Sequence, residues 1–391
     1  MPKTRAERLM ENAEGFDAIV IANDGEPFLD SSFWYITEQN SGCFEGCYAV
    51  VRKDGSMDVL VNSLEAETAA AGRGNVCVFR NRADLERMFK DSLKGCSKVG
   101  FNVHQVTYAA VQGIRKLVGT EFEIADASGA LARTYNVKDA KEIEATRKAC
   151  SISSKVACEL PDYLEEGVSE KQVAARMDAR MRELGGTGNA FDTIAAFGPN
   201  SSQPHYMPGD YRLRPHDAAL FDFGTKYDRY CSDMTRTLFL GEPSDVMRRA
   251  YETVLEAQKA GIATYKAGAK ACEADLAARE LIDSTEFKGM FIHSFGHGIG
   301  QDVHQPIHVS PKSDQVLEAG NIVSAEPGIY IPGVGGIRIE DTVLITENGC
   351  EVLTSFPHEL TVVRPERHVT AVCASRSPMV SAYRRTLPPD G

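Results

Sequence analysis

Over roughly the first 130 residues, short apolar runs alternate with longer polar stretches of helical character. Arg5 to Glu14 reads as a short polar helix. The run from Asp17 to Ala22 reads as a buried strand. Cys47 to Gly55 and Asp58 to Asn62 read as two strands joined by a Lys53-Asp54-Gly55 turn. Lys98 to Val103 continues the pattern, and the alternation predicts a mixed sheet with helices packed on it. The texture changes near Arg133. Asp139 to Glu165 is polar and helix-prone, with Ile143, Ala149 or Cys150, Ile152, Val156 and Leu160 near helical spacing. Ser169 and Gln172 form a capping-box pattern that opens another helix. From Ala218 the chain turns β-rich, with a further helix over about Asp245 to Ala267. The last stretch is rich in Arg, Ser and Pro with few core residues, as in a poorly ordered tail. The expected division is an accessory domain over 1–133, a second domain over 134–363 and a tail over 364–391. No internal repeat of solenoid period is present.

Composition narrows the function classes. The chain has 391 residues, 43 Lys+Arg against 55 Asp+Glu and a formal charge of −12. That balance offers no basic stripe for nucleic acid and no polybasic membrane-surface patch. No run reaches the roughly 18 apolar residues of a membrane helix. The N-terminus carries charge without an apolar segment behind it, so no secretory signal is expected. Ten cysteines without a CxxC pair read as reduced thiols, which suits a cytoplasmic protein.

The chemistry concentrates in the second half, where six of nine histidines lie between His205 and His308. Asp222 interrupts an apolar strand between Phe221 and Phe223, and Asp233 sits in a second strand-like run after a turn. Glu326 and Glu340 occupy two apolar strands flanking a Gly/Pro turn. Period-two alternation puts Arg338 and Glu340 on one face, with Ile337 and Ile339 opposite. His297 lies between Gly296 and Gly298, which permit close backbone approach, and His293 and His304 bracket it. A buried unpaired charge costs several kcal/mol, so each of these acids needs a cation or a proton.

Four carboxylates and one imidazole suit two divalent ions about 3.5–4 Å apart, able to activate water and polarise a carbonyl. A carboxylate-rich set favours Mn²⁺, Fe²⁺ or Co²⁺ over a cysteine-type zinc site. Taken singly, each residue has a plainer reading: Asp222 as a turn residue, Gly-His-Gly as a tight turn, Glu340 as the partner of Arg338 on a solvated face. Their conjunction in one half of the chain favours the metal reading.

These segments resemble the pita-bread metallopeptidases, and most closely the Xaa-Pro dipeptidase and aminopeptidase P branch with a creatinase-like N-terminal domain. The resemblance runs to about Val363. It implies an α/β fold in which a creatinase-like α/β domain precedes a pseudo-symmetric catalytic domain with a curved, six-stranded antiparallel sheet. It implies metal ligation by Asp222, Asp233, His297, Glu326 and Glu340. The ions would be two divalent metals, Mn²⁺ or Co²⁺ first, with Fe²⁺ or Zn²⁺ as alternatives. His205 resembles the histidine that contacts substrate near the scissile bond. His293 and His304 resemble the pair that stabilises the tetrahedral intermediate, and Arg338 the arginine that orients the carboxylates. The implied reaction is attack of a metal-bridging hydroxide on the amide before proline, with Glu326 accepting its proton. Substrates would be proline-containing dipeptides or short peptides, and the assembly a homodimer.

Three departures qualify the resemblance. Arg229 replaces a usual glycine in the turn between Asp222 and Asp233, which predicts a strained or reshaped turn. Gln305 replaces a usual glutamate and removes a charge beside His304. His308 stands where many dipeptidases carry an arginine that clamps the substrate's terminal carboxylate, and a histidine is a weaker, pH-dependent clamp. That leaves room for longer peptides. Ser31 to Thr37 resembles an early loop that approaches the active site in relatives, while the usual burial of aromatics favours packing of Phe33, Trp34 and Tyr35 against the sheet. Two alternatives stand beside the peptidase: a metal-free creatinase-type hydrolase and a non-catalytic binding protein of the same fold. The retained acidic ligands weigh against both.

Overall fold

The computed structural model describes residues 3–119 and 121–364, so the tail expected over 364–391 falls, apart from Arg364, outside the described residues. The chain divides into two compact units between Val137 and Lys138.

The first unit holds strands β1 (Ala18–Ala22), β2 (Tyr48–Arg52), β3 (Met57–Asn62), β4 (Asn75–Phe79), β5 (Lys98–Phe101) and β6 (Glu123–Asp126), in the sheet order β4-β3-β2-β1-β5-β6. Strand β2 is antiparallel to β1 and β3, and the other neighbours are parallel. Its helices are α1 (Arg5–Asn12), α2 (Ser31–Thr37), α3 (Ala66–Ala69), α4 (Arg82–Ser92), α5 (Tyr108–Val118) and α6 (Ser128–Asn136). Every residue of β1 is buried, as an unbroken apolar run requires when helices cover both faces. Leu9, Phe33 and Leu131 pack on one side, and Phe89, Ile114 and Val118 on the other. Phe33, Trp34 and Tyr35 are buried on α2, with Phe33 and Trp34 stacked against Phe44. The aromatic segment is therefore core of this unit.

In the second unit, α7 (Ala140–Glu159) opens on a capping box of Asp139 and Glu142, and α8 (Glu170–Glu183) on one of Ser169 and Gln172. The other helices are α9 (Asp245–Ile262) and α10 (Ala271–Asp283). The strands are β7 (Gly188–Asn189), β8 (Ile194–Phe197), β9 (Ala218–Phe223), β10 (Thr225–Tyr227), β11 (Tyr230–Cys231), β12 (Met234–Leu240), β13 (Gly296–Gly298), β14 (Gln305–Val309), β15 (Ile322–Ala325), β16 (Gly328–Ile331), β17 (Gly335–Arg338), β18 (Asp341–Thr346), β19 (Gly349–Val352) and β20 (Thr361–Val363). Helices α7 and α8 back a four-stranded sheet, β20-β12-β9-β8, through Val156, Met177, Phe221 and Leu238. Helices α9 and α10 back a five-stranded sheet, β14-β13-β15-β18-β19, through Val254, Ala278, Val323 and Val343. The three-stranded β11-β10-β7 and the hairpin β16-β17 complete the unit.

In place of the single six-stranded sheet implied by the resemblance, the unit carries a four-stranded and a five-stranded sheet. The break lies between β12 and the β17–β18 region, where a backbone bond remains, from the Glu340 amide to the Thr235 carbonyl at 3.1 Å, and threonine hydroxyls make the neighbouring contacts. Thr237 Oγ1 donates to the Arg338 carbonyl at 3.0 Å, and Thr342 Oγ1 donates to the Asp233 carbonyl at 2.7 Å. At this seam the acidic residues emerge.

Candidate active site

Asp222 is the fifth residue of β9 and faces Thr235 of β12 across the ladder. Asp233 directly precedes β12. Glu326 follows β15 and Glu340 precedes β18, and these strands pair with Ala325 opposite Asp341, so both carboxylates leave neighbouring strand ends. His297 is the middle residue of β13. A Cβ on Gly296 would lie 2.3 Å from the Ser324 carbonyl oxygen, so only glycine lets β13 approach β15 this closely.

His297 Nδ1 faces the Gly298 carbonyl at 3.1 Å, which leaves Nε2 aimed at the acids. Nε2 is 3.2 Å from Glu326 Oε1 and 3.5 Å from Asp233 Oδ2. Ligand atoms of Asp233, His297 and Glu340 lie within 4.8 Å of one another. Asp222 Oδ2 accepts from Arg338 Nη2 at 2.6 Å, while its Oδ1 is buried without a hydrogen-bond partner.

The electrostatics follow from crowding acids in a dry space. Burial, then the Asp222 charge, holds the Asp233 carboxyl well above the usual range. Burial, then Asp233, does the same to Glu340. Burial raises Asp222 against the opposing pull of Arg338. Glu326 goes the other way: burial pushes it up, but the hydrogen bond and charge of His297 outweigh that and bring it to about 2. Reciprocally, burial lowers His297, yet Glu326 carries it up to about 9. The cluster draws in positive charge, and its donors, hard carboxylate oxygens with one imidazole Nε2 and one orphaned Asp222 oxygen, fit divalent ions of the Mn²⁺, Fe²⁺ and Co²⁺ kind.

A hydrogen-bonded chain supports this set. Thr235 Oγ1 donates to Glu340 Oε2 at 2.6 Å and accepts from Arg338 Nε at 3.0 Å. Arg338 Nη1 donates to the Tyr330 hydroxyl at 2.7 Å, and that hydroxyl meets His293 Nε2 at 2.8 Å. His293 Nδ1 faces the Ser294 carbonyl at 2.9 Å, so both of its ring nitrogens are engaged. Burial lowers the His293 pKa, which keeps the ring neutral. The His304 ring stands 4.2 Å from that of His297 at 64°. Burial and then His297 lower the His304 pKa. His308 pairs with His297 across β13 and β14 but is exposed, and only its backbone is tied, to Gln315 Oε1 at 2.7 Å.

Gln305 accepts from the buried Lys138 Nζ at 2.7 Å. Burial pulls that lysine down to about 8, against the charge of Glu142. The turn between the two aspartates takes Asp228 and Arg229 into the left-handed region, with φ of 46° and 71°.

Sequence reasoning did not single out Thr235, Tyr330, Arg236 or Asp341. The last two are flanked by polar residues, Thr235 and Thr237 for Arg236 and Glu340 and Thr342 for Asp341, so they lacked the signal of Asp222. They pair with each other at 2.7 Å directly behind Glu340.

The model of metallopeptidase family M24 matches residues 144–347, just over half of the chain, and that of the creatinase/prolidase N-terminal domain matches residues 4–134. A Xaa-Pro dipeptidase of Pyrococcus furiosus is 43% identical over 224 residues, which span 57% of this chain and 64% of that protein. The solved structure of a Xaa-Pro dipeptidase from Bacillus anthracis superposes with a TM-score of 0.85 at 32% identity, covering 92% of this chain and 99% of that one. An X-Pro aminopeptidase structure from Thermotoga maritima gives a TM-score of 0.83 at 31% identity, covering 90% and 99%.

Proposed function

This chain belongs to metallopeptidase family M24, and from that premise we propose that it is a metal-dependent exopeptidase that hydrolyses the Xaa-Pro bond of dipeptides or short peptides. One observation carries the reading: the buried Asp233 and Glu340, the partly buried Asp222 and Glu326 and the Nε2 of His297 gather where the protein supplies too few cations to neutralise them. Asp222, Asp233, His297, Glu326 and Glu340 would hold two divalent ions, Mn²⁺ or Co²⁺ first, with Fe²⁺ and Zn²⁺ compatible with the same donors. When bound, such ions act as Lewis acids and bring the pKa of water towards neutrality.

The chain's own groups do the rest. Glu326 would accept a proton from the attacking water. His304, neutral and beside His297, lines the carbonyl side and donates to the developing oxyanion, a contact worth roughly 3 kcal/mol in comparable sites. His205 contacts the substrate near the scissile bond. Arg338 fixes the orientation of Asp222, and through Tyr330 that of His293, which walls the pocket. Both alternatives, the metal-free hydrolase and the binding protein, leave the four acids without a purpose.

The length preference turns on His308. Its exposure opposite His297 supports a clamp weaker than an arginine and a tolerance for tripeptides. A homodimer, by the same resemblance, and a cytoplasmic location, from cysteines without a CxxC pair, complete the reading, and light scattering with cell fractionation tests them. The deciding experiment measures cleavage of Ala-Pro and Ala-Pro-Ala after exhaustive chelation and again after Mn²⁺ or Co²⁺ is returned. Loss and recovery are expected, and full activity in excess chelator overturns the proposal. In His308→Arg, Ala-Pro should gain on Ala-Pro-Ala. An unchanged ratio removes the clamp from the account.

A further inference from the structure

Glu170, the first residue of α8, is fully buried, yet the donors around its carboxylate are neutral. Oε1 accepts from the Phe197 amide at 2.8 Å and from Asn200 Nδ2 at 3.0 Å. Oε2 accepts from the Tyr206 hydroxyl at 2.8 Å and from the Gly209 amide at 2.9 Å. Asn200 Nδ2 also donates to the Tyr206 hydroxyl at 2.8 Å, closing the ring of contacts. The helix does not need this carboxylate as a cap, because Ser169 and Gln172 already form the capping box.

All four donors lie on one stretch of chain, Phe197 to Gly209, and they bracket His205. Burial and the Glu170 carboxylate push the Tyr206 phenol up to about 12, so its hydroxyl remains a donor at working pH. The Tyr206 ring packs on Ile194, Ala196 and Leu220. Strand β9 alternates, so Leu220 and Asp222 share a face, and Ile194 is the cross-strand partner of Asp222. The ring next to His205 is therefore seated on the face of β8 and β9 that bears Asp222.

We propose that Glu170 is a positioning residue that pins both ends of the Phe197–Gly209 segment and thereby holds His205 over the acidic cluster. The inference rests on the reading of His205 as a substrate contact. In Glu170→Gln an amide NH₂ replaces one oxygen and meets donors it cannot satisfy, because a backbone N–H cannot reverse its role.

The test is a double-mutant cycle on Ala-Pro cleavage by the full-length, Mn²⁺-loaded protein, with thermal unfolding recorded beside it and the His205 ring resonance read in the diamagnetic Zn²⁺-loaded form. Glu170→Gln is expected to lower kcat/KM roughly tenfold or more, as misplacement by about 1 Å can do, and to broaden the His205 signal. In a His205→Ala background the same change should alter kcat/KM by less than about twofold. Tyr206→Phe, which removes a single hydroxyl, should show the same background dependence with a smaller loss, and it carries the cycle if Glu170→Gln does not fold. Equal losses in both backgrounds, or a sharp His205 signal in the Glu170 variant, overturn the positioning role alone. A silent His205→Ala overturns the reading of His205 and the positioning role with it.

Discussion

Removing Arg236 tests how the protein supports its acidic cluster from behind. Arg236 and Asp341 are 1% and 0% exposed and pair at 2.7 Å. Arg236 Nη1 also donates to the Glu340 carbonyl at 2.5 Å and to the Thr235 carbonyl at 2.9 Å. Asp341 further accepts from Gln258 Nε2 at 2.9 Å, Thr354 Oγ1 at 2.8 Å and His358 Nε2 at 2.6 Å. Burial pushes the Asp341 carboxyl up, but Arg236 and then His358 hold it far below the usual range, so it is ionised in the fold. Arg236→Met therefore strands a buried carboxylate, and breaking one partner of such a pair costs about 3–5 kcal/mol. For a unit of this size that lowers its Tm by roughly 6–20 °C, at about 2–4 °C per kcal/mol. Calorimetry and urea unfolding read the loss. Arg236→Met/Asp341→Asn removes the stranded charge, keeps one acceptor oxygen for Gln258 and turns an NH₂ donor towards the Thr354 hydroxyl, which can accept, so it should recover much of the stability. A loss under about 1 kcal/mol in the single variant, or no recovery in the double, refutes the electrostatic account and leaves only packing.

Three further outcomes follow from the same geometry. Tyr330→Phe removes the hydroxyl that joins Arg338 to His293; kcat/KM on Ala-Pro should fall roughly tenfold, equivalent to about 1.4 kcal/mol, and steady-state kinetics showing no change would deny the hydroxyl any role. Arg229→Gly relieves a non-glycine residue at φ 71° and should raise stability by about 1 kcal/mol, with denaturant midpoints checking the sign. Asp17 accepts from Ser97 Oγ and from the Ser97 and Lys98 amides, and these bonds lower its pKa from 3.8 to about 2. A depressed folded pKa stabilises above the unfolded value, so this contribution is complete above about pH 4 and lost as pH falls towards 2. Asp17→Asn should flatten unfolding-midpoint profiles of the first unit in that window, and an unaltered acid slope would show that the bonds carry no linkage.

The strands and their charged residues were legible for a simple reason. A carboxylate inside an apolar run is costly enough that its presence demands a partner, and Asp222, Asp233, Glu326 and Glu340 announce themselves in this way. The capping box of α8 was legible because Ser169 and Gln172 lie within three residues, and Asp139 and Glu142 form a second one on α7 that the sequence reading did not single out. Helix α10 went unpredicted; its alanines Ala271, Ala274 and Ala278 are buried, but small side chains give weak periodicity. The seam between the two sheets was not legible either. It rests on Thr237 and Thr342, which reach partners 101 and 109 positions away. Arg236 and Asp341 are 105 residues apart, so only the fold reveals that they satisfy each other.

That pairing explains why the acidic cluster differs from the other buried charges of the unit. Acids occur twice along this seam, with opposite resolutions. Behind Glu340 the protein neutralises its own acid: Arg236, His358, Gln258 and Thr354 together saturate Asp341. In front, Arg338 serves one oxygen of Asp222, Thr235 one oxygen of Glu340, and His297 is shared between Glu326 at 3.2 Å and Asp233 at 3.5 Å, while the second Asp222 oxygen has no hydrogen-bond partner. The same fold, within a few residues of chain, can supply full compensation and here does not. An incomplete set of counter-charges beside a complete one is what distinguishes a site built to receive cations from a buried ion pair that merely holds strands together.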